Sequence, residues 1–186
     1  FRYVLEVWPY DRRNPERHER IVASMSRMRN DSGAFAEQLA LFDRYKPGSD
    51  WFQAQEEQGN IRAMAYAEEM ARSTLLNTAK YYNEQADLLR DQAMASRSVE
   101  LEDQALAAYE TASGAYSQFL LEYPSDREAY EVRFLYGQAL YYGFQFAEAA
   151  EEYRLVREIE GPRRELAAYQ VVKSVEQIII ESIERG

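Results

Sequence analysis

Residues Arg133 to Tyr153 read RFLYGQALYYGFQFAEAAEEY. The stretch reads as one strong helix followed by another, with Gly137 and Ala149 set against Tyr141, Tyr142 and Tyr153. Small residues opposite large aromatic ones let two helices approach closely, and a side chain larger than hydrogen at Gly137 would force them apart. Gly137, Ala149 and Tyr153 are therefore read as the seam of a helical hairpin.

The second half of this stretch repeats along the chain. Phe1 and Val4 precede Pro9, Leu39 and Phe42 precede Pro47, and Tyr116 and Phe119 precede Pro124, in each case by eight and by five positions. Tyr153 and Val156 form a fourth copy, with Gly161 in the proline position and Pro162 after it. One turn before the first apolar residue stand Phe35, Ala112 and Ala149. An apolar stripe at i, i+4 and i+7, ended by a proline that cannot continue the hydrogen-bond ladder, is half of a helical hairpin. Such a hairpin cannot bury its stripe alone, so the expected architecture is an all-α solenoid of stacked antiparallel hairpins. The copies are spaced by 38 residues (Phe1 to Leu39), 77 (Leu39 to Tyr116) and 37 (Tyr116 to Tyr153). No glycine or proline occurs between Gly59 and Gly114, so the wide interval is read as one expanded unit, with two ordinary units as the alternative. Within it, one long helix runs from Asn60 to about Arg90, and Ser96-Arg97-Ser98 makes a polar connection.

Composition limits the function. The 186 residues are 46% hydrophobic and 29% charged, which fits a folded protein. Lys and Arg number 22 against 32 Asp and Glu, giving a net charge of -10 that disfavours nucleic acid and anionic lipid surfaces. No apolar run reaches the length of a membrane span. Without cysteine there is no disulfide framework and no thiolate metal site. The chain starts at Phe1, inside an apolar helical pattern, and is expected to be a piece of a longer protein.

Catalytic chemistry is not expected. Adjacent carboxylates such as Glu56-Glu57, Glu68-Glu69 and Glu151-Glu152 diverge around a helix, whereas acid/base pairs must converge in a desolvated cleft. No nucleophile stands beside a base, and no glycine-rich phosphate loop is present. The lone His18, in the charged segment Asn14 to Arg20, is expected to be exposed or lightly packed, with Asn14 as N-cap and Pro15 in the first helical position. Neither a metal nor a cofactor is expected.

In the opening stretch, Tyr136-Gly137, Leu140, Ala149 and Tyr153 stand in the register of a tetratricopeptide repeat, and the chain resembles that family. Arg133 replaces the usual tryptophan, Tyr136 a leucine and Leu140 a tyrosine, while Ala23 and Ala79 take the glycine position in earlier units. The resemblance divides a single repeat domain, 1–186, into the end of a truncated unit (1–9), a degenerate unit (10–48), an expanded unit (49–125), the best-matching unit (126–162) and a following or capping helix (163–186). It implies a concave ligand-facing surface carrying Glu131, Phe134, Gln138, Tyr141 and Tyr142 on the best-matching unit, and Leu76, Lys80 and Asn83 on the expanded one. The order of Phe1 to Pro9, Tyr45 to Trp51, Ala79 to Tyr82, Phe119 to Pro124 and Arg133 to Gly137 is also similar to envelope-associated repeat proteins of gliding delta-type bacteria.

The function these resemblances imply is a protein-protein interaction scaffold or adaptor within a bacterial envelope or motility assembly. The partner is a protein or peptide with a basic surface. Periplasm or envelope is the favoured location, and cytoplasm is compatible. The competing readings are a structural spacer in a long repeat protein and a regulatory domain of an enzyme outside these residues.

Overall fold

The computed structural model describes residues 1–28 and 30–184, with the backbone alone for 31 and 32. Arg185 and Gly186, the end of the expected last helix, lie outside the described residues. The described residues form helices joined by turns and carry no strand. The chain divides into two compact units, Phe1–Thr78 and Ala79–Gly186.

The first unit contains α1 (Arg2–Val7), α2 (Asn14–Arg27), α3 (Asp31–Tyr45), α4 (Asp50–Glu57) and the start of α5 (Ile61–Ser96). α1 packs on α2, α2 on α3 and α3 on α4. Leu41, Tyr45, Trp51, Ala67 and Met70 form its core. Ser49 caps α4 by accepting from the Phe52 amide at 3.2 Å, so the chain turns sharply after Pro47.

Two expectations for α2 are corrected. Asn14 is the first helical residue rather than the N-cap, and it is fully buried. Its Nδ2 donates to the carbonyls of Trp8 (2.6 Å) and Pro9 (3.1 Å), tying down the segment that Pro9 leaves without helical partners. His18 is also buried, because Asn14, His18 and Ile21 share the inward face of α2 at helical spacing. Its Nε2 lies 2.8 Å from Glu37 Oε2, and its ring meets Tyr45 edge-on at 5.7 Å. Trp51 Nε1 and Gln55 Nε2 donate to the carbonyls of Asp11 (3.0 Å) and Tyr10 (2.7 Å), completing this polar lining of the core.

The second unit contains the remainder of α5, α6 (Val99–Glu122), α7 (Ala129–Tyr142), α8 (Phe146–Glu158) and α9 (Arg164–Glu184). α6 packs on α7, α7 on α8 and α8 on α9. Phe134, Leu140, Ala149, Tyr153, Val156, Ala167 and Val171 form the core. A Cβ on Gly137 would come within 2.9 Å of the Tyr153 ring, so α7 approaches α8 as closely as a bare backbone allows. The seam expected from Gly137, Ala149 and Tyr153 is present.

The four repeated copies share a local hydrogen bond. The amides of Trp8, Lys46 and Tyr123 donate to the carbonyls of Val4, Phe42 and Phe119 at 3.0, 2.9 and 2.8 Å, and the Ile159 amide reaches Val156 at 3.2 Å. Each helix thus closes on the residue five positions before the breaker. Burial does not repeat as well. Tyr116 and Tyr153 are core residues, whereas the equivalent Phe1 and Leu39 are exposed, since α1 buries Leu5 and α3 buries Leu41 and Tyr45 instead.

The polar connection expected at Ser96 to Ser98 is where α5 ends. Arg97 adopts a left-handed φ of 55°, the Ser98 amide donates back to Ala93 (3.3 Å), and Ser98 Oγ caps α6 at the Leu101 amide (3.3 Å). The α7–α8 turn repeats the device, with Phe144 at φ 60° and the Gln145 amide donating to Leu140 at 2.8 Å. Both are helix stops of the kind usually built with glycine.

Candidate functional site

The residues singled out on the groove face separate in the second unit into an aromatic-ionic cluster and a set of tethers, while Leu76 belongs to the first unit. Leu76 and Phe134 are buried, so each supplies core rather than accessible surface. Phe134 turns inward because its ring packs on Tyr153, centroids 5.6 Å apart, and the Arg163 guanidinium covers it at 5.0 Å.

Glu131 holds Arg163 in place. Arg163 Nη2 donates to Glu131 Oε1 at 2.6 Å, and Nε lies 3.1 Å from both carboxylate oxygens. The Arg163 amide donates to Tyr130 Oη at 3.0 Å, and Gly161 is tightly covered by the same tyrosine. This arrangement fastens the start of α9 to α7. Lys80 pairs with Glu128 at 3.3 Å, and Gln138 is half-buried.

Asn83, Tyr141 and Tyr142 meet residues that sequence reading missed. Asn83 Nδ2 donates to Asp87 Oδ2 at 3.2 Å. Tyr109, fully buried on α6, donates its hydroxyl to Asp87 Oδ1 at 2.6 Å and accepts from Arg90 Nη1 at 2.9 Å. Arg90 also pairs with Asp87 at 3.1 Å, and its guanidinium stands 4.1 Å from the Tyr142 ring centre. Tyr142 stacks on Tyr109 at 5.7 Å, and Tyr141 meets Tyr142 and Phe146 edge-on. Burial, and then the hydrogen bond to Asp87 and its charge, push the Tyr109 hydroxyl pKa up, so it remains a donor. Each polar group fixes the next, and the Tyr142 face is held by a cation. The signal for Asp87 and Arg90 was their spacing: they lie four and seven residues beyond Asn83, on the same face of α5.

Beside this cluster lies a cavity of about 340 Å³, lined mainly by Ala93, Met94, Leu106, Tyr109, Tyr142 and Phe144. Two residues with left-handed φ, Phe144 and Arg97, border it. Its walls are mainly apolar, with the Tyr109 hydroxyl and the Arg90 guanidinium held in fixed orientations beside them. In the first unit a cavity of about 580 Å³ is lined by Arg12, Arg13 and Arg62 together with Glu16 and Tyr66, a local concentration of positive charge on an acidic chain. Among the described residues no group of three or more His, Asp or Glu is placed to hold a metal ion, and no helix is long and apolar enough to cross a membrane.

Neither a protein-family model, nor a curated protein, nor a solved structure matches the chain.

Proposed function

We propose that this chain is a protein-protein interaction scaffold, a tetratricopeptide-like α-solenoid segment serving a larger bacterial envelope or motility assembly. The observation that carries the reading is the α5–α6–α7 cavity, where apolar walls adjoin the Arg90–Tyr109–Tyr142 stack. Half-buried Tyr142, its orientation fixed by Arg90 and Tyr109, offers rigid contact area at low entropic cost, as anchoring positions of interfaces do. The Gly137–Tyr153 contact supports the hairpin type, and the net charge of -10 supports a partner presenting basic groups around an apolar anchor residue.

The test is capture of partners from a bacterial envelope extract at low and at physiological salt. Met94 is exposed on the cavity wall, so Met94→Glu places a charge there without touching the core. Leu121→Glu changes an equally exposed residue elsewhere on the second unit. The reading expects a partner retained by the wild type and Leu121→Glu and lost by Met94→Glu. Capture that is indifferent to Met94→Glu, or absent at both salts, overturns it and favours a spacer.

A further inference from the structure

The outer face of α9 carries a second feature, independent of the cavity. Ala167, Val171 and Ser174 turn this helix toward the core. On the opposite side Leu166, Tyr169, Ile180 and Ile183 are 41%, 56%, 41% and 72% exposed. Between them stand Lys173 and Glu176, paired with each other at 2.7 Å and both open to solvent. The six positions Leu166, Tyr169, Lys173, Glu176, Ile180 and Ile183 alternate by three and four residues, the spacing of a coiled-coil seam. They span about 26 Å of helix at 1.5 Å per residue.

We propose that α9 is a self-association surface, and that it pairs antiparallel with α9 of a second copy of this chain. The argument is self-complementarity. About a two-fold axis passing between Ser174 and Val175, Leu166 faces Ile183 of the second copy, Tyr169 faces Ile180, and Lys173 faces Glu176. Every layer then occurs twice, as an isologous interface requires. The outer layers are apolar on both sides, and the central layers match opposite charges. A parallel pair would set Lys173 on Lys173 and Glu176 on Glu176, which like-charge repulsion disfavours. Sliding the antiparallel pair by one heptad would place Leu166 against Glu176 and Tyr169 against Lys173, and would leave Ile180 and Ile183 uncovered. A charged layer within an apolar seam selects one register and orientation in this way. Exposed Val172 and Ile179 flank the seam and extend the area covered. With four apolar positions per chain the association is weak and concentration-dependent.

Sedimentation from low to high micromolar concentration is expected to carry the weight-average mass from 21.7 kDa toward twice that value. Ile180→Glu combined with Ile183→Glu holds it at the monomer with unchanged helicity, because both residues are exposed. Lys173→Glu and Glu176→Lys each self-associate several-fold more weakly than wild type, since each sets like charges across the axis. An equimolar mixture of the two recovers association, because every cross-axis pair is then opposite in sign. The chain has no cysteine, so mixing Leu166→Cys with Ile183→Cys gives a second readout: a mixed disulfide in preference to either symmetric one. A monomer throughout the concentration range, a dimer that survives the double glutamate variant, or single charge variants that do not complement each other overturns the proposal.

Discussion

Gly137→Ala isolates the contact on which the second hairpin depends. A Cβ there lies 2.9 Å from Tyr153 Cε1, 3.0 Å from Cδ1 and 3.2 Å from Cζ. The ring cannot withdraw easily: Tyr153 is 1% exposed, packs on Phe134 at 5.6 Å and belongs to the core shared by α7, α8 and α9. Overpacking of this kind costs about 1–3 kcal/mol. Against it stands the gain of about 1 kcal/mol from replacing glycine by alanine inside a helix. The net expectation is a loss of about 1 kcal/mol, read as a lowered urea midpoint with an unchanged slope. Tyr153→Phe gives no relief, since ring carbons rather than the hydroxyl make the contact. In a Tyr153→Ala background the obstruction is gone, and the same Gly137→Ala substitution becomes stabilising by about 1 kcal/mol. That reversal of sign is the signature of the seam. A Gly137→Ala chain more stable than wild type, or equal effects in both backgrounds, refutes the reasoning.

Arg97→Gly relieves a left-handed residue at the end of α5 and raises thermal stability by about 1 kcal/mol; a lowered melting temperature counts against that cap. Tyr109→Phe leaves the Asp87–Arg90 pair at 3.1 Å but removes the hydroxyl that both share, costing about 1 kcal/mol in urea unfolding, whereas no change would show the network idle. His18 gives a pH dependence. Burial lowers its pKa from the ordinary 6.5, outweighing the hydrogen bond and charge of Glu37 that raise it. The unfolded chain therefore takes up the proton first as pH falls. The site's contribution is full above 6.5 and drains below it, by at most about 1.4 kcal/mol per pH unit. The stability gap between wild type and His18→Gln accordingly shrinks from pH about 7.5 to about 5, a window set by free histidine; a constant or widening gap contradicts the burial.

The sequence makes helix ends and the seam legible because both depend on local chemistry. Proline two residues beyond Val7, Tyr45 and Glu122 stops a helix wherever it occurs, and Gly137 opposite Tyr153 is readable from one hairpin. The length of α5 follows from the absence of breakers, but the helix runs to Ser96 rather than to about Arg90, where left-handed Arg97 and the Ser98 cap stop it. What stayed hidden depends on partners far along the chain. Asn14 and His18 look like a charged surface until the carbonyls of Trp8 and Pro9 and the carboxylate of Glu37 are seen beside them. Asp87 and Arg90 look like a solvated ion pair until Tyr109, about twenty residues on, joins them. Phe134, expected on an exposed groove, instead follows Tyr153 into the core, a contact between two helices that its own position on α7 does not reveal.

The central claim is that the cavity beside the Arg90–Tyr109–Tyr142 stack receives a residue of another protein. A photoreactive side chain in place of Met94, introduced in cells that express the protein, reports on that contact directly, with the same group in place of Leu121 as reference. The account predicts a discrete crosslinked partner from Met94, absent from Leu121 and diminished by Tyr142→Ala. Equal crosslinking from both positions, or none from Met94, would contradict it.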